Sequence, residues 1–183
     1  MRLTILNGNP DKGNSVFEGY IEALKNKLTE NGHNVDTFLL READIKYCVG
    51  CWGCWIKTPG ECLHPDDTIG MRRSIINSDI TIFASPIVAG YTSGLLKKIQ
   101  DKMLPLLMPN IIYYKGEMHH LKRYPSYPRF ACIVQWEQNT EAPVREIFET
   151  LYKRFSINFH TSVLFVKDIN EPVEEAVNAL TAY

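Results

Sequence analysis

The stretch from Leu3 to Ser15 constrains the fold of this chain more than any other. It reads LTILNGNPDKGNS, a short apolar run followed by a loop rich in glycine and asparagine. Apolar residues then recur at helical spacing from Val16 to Leu28, and Asn14 or Ser15 provides a suitable N-cap for that helix. A strand, a loop and the bare N-terminus of a helix together favour a bound phosphate, because free backbone N–H groups and the helix dipole attract an anion. The alternative is an ordinary strand–turn–helix in which the glycines only allow the turn.

The kind of phosphate follows from the residues that this loop lacks. Gly8 to Ser15 has the pattern G-x-x-x-x-G-N-S, one residue away from the triphosphate-binding loop G-x-x-x-x-G-K-[ST]. Asn14 replaces the lysine that reaches the outer phosphates in that loop. Pro10 replaces the second glycine of the dinucleotide fingerprint G-x-G-x-x-G. These differences leave a single phosphate, and FMN is the commonest monophosphate cofactor held in this way.

The rest of the chain alternates between strand and helix patterns. Strands are predicted at residues 3–6, 35–40, 79–84, 130–136 and 161–166, and helices at 16–28, 69–76, 95–103, 144–155 and 172–180. This alternation indicates an α/β fold with a parallel sheet covered on both faces. We expect one domain over residues 1–183, with a flavodoxin-like, doubly wound, five-stranded parallel sheet in the order 2-1-3-4-5. Such a sheet binds ligands at the carboxyl ends of strands 1 and 3.

Composition bounds the class of partner. The formal net charge of −1 gives no reason to expect a nucleic acid or an anionic membrane as partner. No signal peptide is recognisable at the start of the sequence, and no apolar run approaches the roughly 18 residues of a membrane span. We therefore expect a cytoplasmic protein whose five cysteines are thiols or ligands.

Four of the cysteines lie close together in the sequence. They are Cys48, Cys51, Cys54 and Cys62, on one irregular stretch that follows the second strand. The spacing C-x2-C-x2-C is the one that wraps three corners of a [4Fe–4S] cluster, with a fourth ligand nearby. A zinc site more often separates two such pairs by a dozen residues or more. The third alternative is a loop of reduced thiols that packs beside the cofactor, at the carboxyl edge of the sheet.

Residues 104–129 depart from the alternation. They contain several prolines, tyrosines and histidines and are too long for a plain connection. We expect either a lid over the cofactor or a contact between subunits, because exposed aromatic side chains usually have something to cover.

Taken together, the motifs resemble the NAD(P)H-dependent FMN reductase branch of the flavodoxin-like superfamily. The matching motifs span about the first hundred residues and are Gly8-Asn9-Pro10 through Gly13-Asn14-Ser15, Cys51-x-x-Cys54-Trp55, Pro59-Gly60-x-Cys62, Asp66-Asp67, Ser85-Pro86 and Gly94-x-x-Lys97-x-x-x-Asp101. The cysteine run also resembles that of iron–sulfur flavoproteins.

The resemblance implies a set of FMN-binding residues. The phosphate would contact Asn9, Lys12, Asn14 and Ser15, and the isoalloxazine ring would lie along Pro86, Ile87, Val88, Ala89 and Gly90, with Trp136 after the fourth strand. This chain has Asn9 and Asp11 where the family usually has Ser and Arg. It also has Val88 where an aromatic residue is expected, and Gln135-Trp136-Glu137 where glycines are usual.

The resemblance also implies an activity. An enzyme of this branch takes hydride from NAD(P)H on FMN and passes electrons to a small acceptor: a quinone, a flavin, a nitro or azo compound, or a metal ion. The flavin supplies the chemistry, so no side chain is required as an acid or base. A homodimer or homotetramer is expected. The alternative is an electron carrier that serves a redox protein and holds a [4Fe–4S] cluster on the four cysteines.

A phosphorylated signalling domain with the same strand order is disfavoured. Such a domain needs an acidic cluster after strand 1 and an aspartate at the end of strand 3. This chain has Asn7, Asn9 and Ala84-Ser85 at those places.

Overall fold

A computed structural model describes residues 1–182 of the chain. The strands among these residues are β1 (Arg2–Asn7), β2 (Asn34–Leu39), β3 (Ile80–Val88), β4 (Tyr91–Thr92), β5 (Leu107–Tyr114), β6 (Glu117–Lys122), β7 (Arg129–Gln135) and β8 (Val163–Asp168). The α-helices are α1 (Ser15–Glu30), α2 (Gly53–Ile56), α3 (Thr68–Ile76), α4 (Gly94–Asp101), α5 (Ala142–Asn158) and α6 (Val173–Thr181).

The central sheet is parallel and has the order β2-β1-β3-β7-β8. Apolar side chains cover both of its faces and form two cores. Helices α1 and α6 contribute to one core and α3, α4 and α5 to the other. The predicted doubly wound α/β fold, with strand order 2-1-3-4-5, is therefore confirmed, because near-continuous apolar strands can be buried only between two helical layers.

The end of the third strand differs from the prediction. The third strand was expected to end at residue 84, before Ser85-Pro86. Instead, β3 continues to Val88 and turns back into the short antiparallel strand β4. Pro86 lies at the last pair of the β3–β7 register, where a missing N–H costs the sheet little. Ala89 and Gly90 form the two-residue turn with φ of 50° and 78°, and two positive φ values are what a tight hairpin turn of this length requires.

Residues 104–129 are more regular than the sequence suggested. They contain the antiparallel hairpin of β5 and β6, which forms a separate two-stranded sheet. The Tyr127 hydroxyl donates to the Leu106 carbonyl at 2.6 Å, and Arg123 Nε donates to the Pro105 carbonyl at 2.9 Å. These bonds join the segment that follows β6 to the turn of residues 104–106 that precedes β5. In the part of the chain that the structure describes, no helix combines the length and apolar character needed to cross a membrane.

Gly8→Ala should destabilise the fold, because a Cβ at this position would lie 2.7 Å from Leu96 Cβ on α4. We expect a loss of about 1–3 kcal/mol in the free energy of unfolding, measured by urea denaturation. Gly19→Ala is the matched control, since its Cβ would meet nothing within 4 Å. Alanine in the middle of α1 should instead stabilise the protein, by up to about 1 kcal/mol. Equal midpoints for the two variants would contradict this account of Gly8.

Candidate functional site

Residues 8–14 form the loop between β1 and α1. Both backbone groups of Gly8 attach this loop to neighbouring elements. The Gly8 N–H donates to the Ala84 carbonyl of β3 at 2.8 Å, and the Ser93 hydroxyl donates to the Gly8 carbonyl. Ser93 also caps α4, because its Oγ accepts from the Leu96 N–H. The loop therefore lies at the carboxyl ends of β1 and β3, where the strand order predicts a ligand.

A buried polar cluster supports this loop from the protein side. The Glu18 carboxylate accepts from Asn9 Nδ2 at 2.6 Å, from Asn7 Nδ2 at 3.2 Å and from Arg41 Nη1 at 2.8 Å. Asn9 is fully buried, and its Oδ1 accepts from the Asp11 N–H at 3.1 Å. The Asn9 side chain thus stabilises the conformation of the loop. Its contact with a phosphate stays a prediction, and Asn9 would have to give up these hydrogen bonds to make that contact.

The outer surface of the loop carries the other predicted phosphate ligands. Lys12 and Ser15 are exposed, and Lys12 Nζ lies 3.6 Å from Glu42 Oε1. Asn14 caps α1, since its Oδ1 accepts from the Phe17 N–H at 3.3 Å. The Asp11 carboxylate accepts from the Gly13 N–H at 2.8 Å, so a side-chain anion already occupies one of the donors of this loop.

Two further segments meet this loop. The hairpin at the end of β3 holds the five predicted ring-binding residues: Pro86, Ile87, Val88, Ala89 and Gly90. The Ala89 N–H donates to Glu137 Oε1 at 3.2 Å, and Asn14 Nδ2 donates to Gln135 Oε1 at 2.6 Å. These two bonds connect the hairpin and the first loop to the segment after β7. The structure therefore brings together the three segments that carry the ten predicted FMN-binding residues.

Trp136 and Val88 give this edge its apolar surface. Trp136 packs edge-on against Phe148, and the Arg145 guanidinium lies over its ring at 5.1 Å. Val88 is 53% exposed at the hairpin, although valine is usually buried. Exposed apolar area beside the first loop is suited to a flat aromatic ring.

Sequence reasoning missed the supporting role of Glu18 and Arg41. A carboxylate in the first turn of α1 lies near the predicted anion site, where it should repel a phosphate. The Arg41 guanidinium compensates this charge, and only 12% of its side chain is exposed. The sequence did contain a signal for this role. Glu18 is an acidic residue in the first turn after the loop, and such a residue needs a partner from another element.

The four clustered cysteines line one cavity. Cys48 and Cys51 are exposed, Cys54 is buried, Cys62 is half-buried, and all are free thiols. Burial raises the pKa of the Cys54 thiol, and the neighbouring cysteines raise it further. The cavity has a free volume of about 20 Å³, close to that of one water molecule. Within residues 1–182, no three Cys, His, Asp or Glu side chains converge closely enough to hold a metal ion. The donors thus suit a metal–sulfur group, but the loop would have to open to admit one.

A buried lysine forms part of the wall of this cavity. Lys102 is 1% exposed; its Nζ contacts Asp66 Oδ2 at 2.8 Å, the His64 carbonyl at 3.1 Å and Cys62 Sγ at 3.4 Å. Burial alone would raise the pKa of Asp66, but the hydrogen bonds from Lys102 and Thr68 hold it below its usual range. The thiols therefore lie beside a buried ion pair whose cation also reaches Cys62 Sγ.

The cysteine cavity lies against Asp101 and Lys102 at the C-terminal end of α4. The expected position of the cysteines at the carboxyl edge of the sheet stays a prediction. Trp55 anchors the loop at the cavity, because its Nε1 donates to the Leu107 carbonyl at 3.0 Å. Ser93 caps the other end of α4, beside the first loop. The eight residues of α4 correspond to a length of about 12 Å along the helix axis.

Comparisons with known proteins indicate the family and the fold of this chain. Among curated proteins, the chain is similar to two iron-sulfur flavoproteins of Archaeoglobus fulgidus. One is 27% identical over 110 residues, which cover 60% of this chain and 52% of that protein. The other is 34% identical over 98 residues, which cover 54% and 43%. The chain thus spans about half the length of the curated relatives it matches.

A solved structure has the same fold. The NAD(P)H:quinone oxidoreductase from Methanothermobacter marburgensis superposes with a TM-score of 0.69 over 100% of this chain and 99% of that chain, at 14% sequence identity.

A family model covers two of the three segments of the site, and the segment at the end of β7 lies outside it. The model for NADPH-dependent FMN reductase matches residues 1–120, which include the first loop, the cysteines and the hairpin. The chain therefore belongs to the NADPH-dependent FMN reductase family.

Proposed function

We propose that this chain is an FMN-dependent oxidoreductase that takes hydride from NAD(P)H and passes electrons to a small acceptor. A quinone, a flavin, a nitro or azo compound or a metal ion would serve as that acceptor. Family membership supports the reaction type. The observation that carries the proposal is the joining of three predicted segments at one sheet edge by the Asn14–Gln135 and Ala89–Glu137 hydrogen bonds.

Each part of the site has a binding role in this proposal. Ser15 and Lys12 hold the phosphate together with the backbone of the first loop, and Asn14 positions that loop against Gln135. The hairpin and Trp136 hold the ring. FMN, when bound, supplies the hydride-accepting chemistry, so the protein contributes position and polarity. Asp11 competes with the phosphate for the Gly13 N–H.

Ser15→Glu should weaken FMN binding by about tenfold or more, because it places a carboxylate next to the phosphate. The fold should be unaffected, since an acidic residue in the first turn of a helix is favourable. The measurement is quenching of FMN fluorescence on titration with apoprotein.

Ser126→Glu, at an exposed position of the loop after β6, is the matched control and should bind FMN like the natural chain. Asp11→Asn should bind FMN more tightly, since it removes the competing anion. Equal affinity of the Ser15 and Ser126 variants would contradict the phosphate site.

A second candidate function is that of an iron–sulfur flavoprotein that carries electrons to a redox protein. It is supported by the convergence of Cys48, Cys51, Cys54 and Cys62 on one cavity beside the Lys102 ammonium, and by the names of the curated relatives. A [4Fe–4S] cluster would be held by these four thiolates, and hydrogen bonds to the sulfurs would tune its potential. The small volume of the cavity favours the simpler alternative, in which the cysteines are reduced thiols without a metal. A zinc site is the third alternative for this loop.

Anaerobic purification with iron and acid-labile sulfide assays separates the two candidates. If the cluster is present, about four irons per chain are expected, and Cys51→Ser should lose them. Cys132→Ser is the matched control, because this cysteine is buried in β7 and does not line the cavity. If the protein is free of iron and NADH or NADPH rapidly bleaches its flavin, the simple reductase is the candidate function that remains.

We also propose a homodimer or homotetramer in which the β5–β6 hairpin contacts a neighbouring copy. The hairpin exposes 50% of Ile111, 75% of Tyr113 and 65% of Met118, an unusual apolar surface for an isolated chain. The proposed location is the cytoplasm, because all five cysteines are free thiols and reduced thiols persist there.

Light scattering at micromolar concentration should give at least twice the 21.0 kDa of one chain. Tyr113→Lys should shift the mass towards that of a monomer. Ile147→Lys, at a 61% exposed position on α5, is the control and should leave the mass unchanged. A monomeric natural chain would refute this interface.

A further inference from the structure

A second cavity, of about 250 Å³, lies between α3, the end of β6 and the turn that closes the cysteine loop. Its wall contains three arginines: Arg72 and Arg73 on α3, and Arg123 directly after β6. None of the residues predicted to bind FMN lines it. The cavity is therefore separate from the proposed flavin site.

The three guanidinium groups have no carboxylate partner within 4 Å among residues 1–182. Arg72 is 5% exposed, and its Nη1 donates to Thr68 Oγ1 at 2.5 Å and to the Lys102 carbonyl at 3.5 Å. Arg123 donates to two backbone carbonyls, those of Pro105 and Leu107. Buried charged groups in proteins are normally paired, so the buried Arg72 guanidinium, which has no carboxylate partner, requires an explanation. Arg123 is half-buried beside it, and Arg73 is exposed at the rim of the cavity.

The charge of the wall is positive. Glu61 is the one carboxylate in the lining and faces three guanidinium groups. Burial lowers the pKa of Arg72, although Cys62, Asp66, Cys54 and Glu61 partly offset this. An anion inside the cavity would add to the counter-charge that Glu61 provides in the wall.

The turn at Gly60 forms one part of the cavity wall. Gly60 has a φ of 93°, and a Cβ at this position would lie 3.6 Å from Arg123 Cδ, so the turn lies directly against the arginine side chain. Tyr124, Ile76 and Leu106 form an apolar part of the wall. Guanidinium groups and apolar side chains in one wall suit a ligand with both kinds of group.

We propose that this cavity binds a small molecule that carries a carboxylate or a phosphate on a flat apolar body. Guanidinium groups match both oxyanions because they donate two parallel hydrogen bonds. The volume lies below the roughly 300–1,000 Å³ of sites for drug-sized ligands, so the ligand is small. The proposal does not depend on the flavin reaction.

The test uses the FMN-loaded protein, in which the phosphate-binding loop is filled, and titrates it with benzoate and separately with inorganic phosphate by calorimetry. A chain that does not take up FMN is tested instead as the Ser15→Glu variant, whose loop repels anions. Saturable binding of at least one probe is expected, and the stronger probe identifies the anionic group. Failure of the flavin proposal is thereby distinguished from failure of this one.

Arg73 provides the decisive variants, because it is exposed and its removal should not affect folding. Arg73→Gln should weaken the bound probe by about tenfold, and Arg73→Glu should abolish binding. Arg154→Gln, on the exposed face of α5, is the matched control and should bind like the natural chain. Equal binding by Arg73→Glu, or no saturable binding of either probe at millimolar concentration, would overturn the proposal.

Discussion

The close approach of Gly8 to α4 is the constraint on which the candidate site depends. Because Gly8 has no Cβ, its N–H reaches the Ala84 carbonyl while its own carbonyl accepts from the Ser93 hydroxyl. Ser93 N–H in turn donates to Ser85 Oγ at 2.9 Å. The first loop, the end of β3 and the start of α4 are thus fixed to one another by three hydrogen bonds. Any larger residue at position 8 would push the first loop, which is proposed to hold the phosphate, away from the hairpin that is proposed to hold the ring.

The charges of the site explain why a monophosphate suits it better than a triphosphate. Within the loop, Asn14 is neutral and Asp11 is an anion, while Glu18 beneath it is compensated by Arg41. Lys12 is the one cation on the loop, and it is exposed and already near Glu42. Such a loop offers backbone donors and one mobile ammonium. That is enough for the charge of one phosphate but leaves a triphosphate and its metal ion without support.

Helix α4 relates the two candidate functions physically. Its first turn is fixed to the first loop through Ser93, and its last turn ends at Lys102, beside the cysteine cavity. A simple reductase and an iron–sulfur flavoprotein would therefore share the whole scaffold. They differ only in whether the loop of residues 41–66 opens to admit a cluster, so iron content separates them better than any feature of the sheet.

The sequence by itself determined the strand order and the position of the first loop, because these follow from local periodicity and from residues adjacent in the chain. It left the cap of α1 open between Asn14 and Ser15, and the structure has Asn14 as the cap. It also indicated which three segments meet, since parallel strands end at a common edge. Tertiary structure alone decided the rest. The Asn9 side chain is buried because Glu18 and Arg41, from two other elements, bind around it. The cysteines lie at the C-terminal end of α4 because Trp55 Nε1 donates to the carbonyls of Leu104 and Leu107. This contact joins residues about 50 positions apart in the sequence, and local sequence spacing does not predict such a contact.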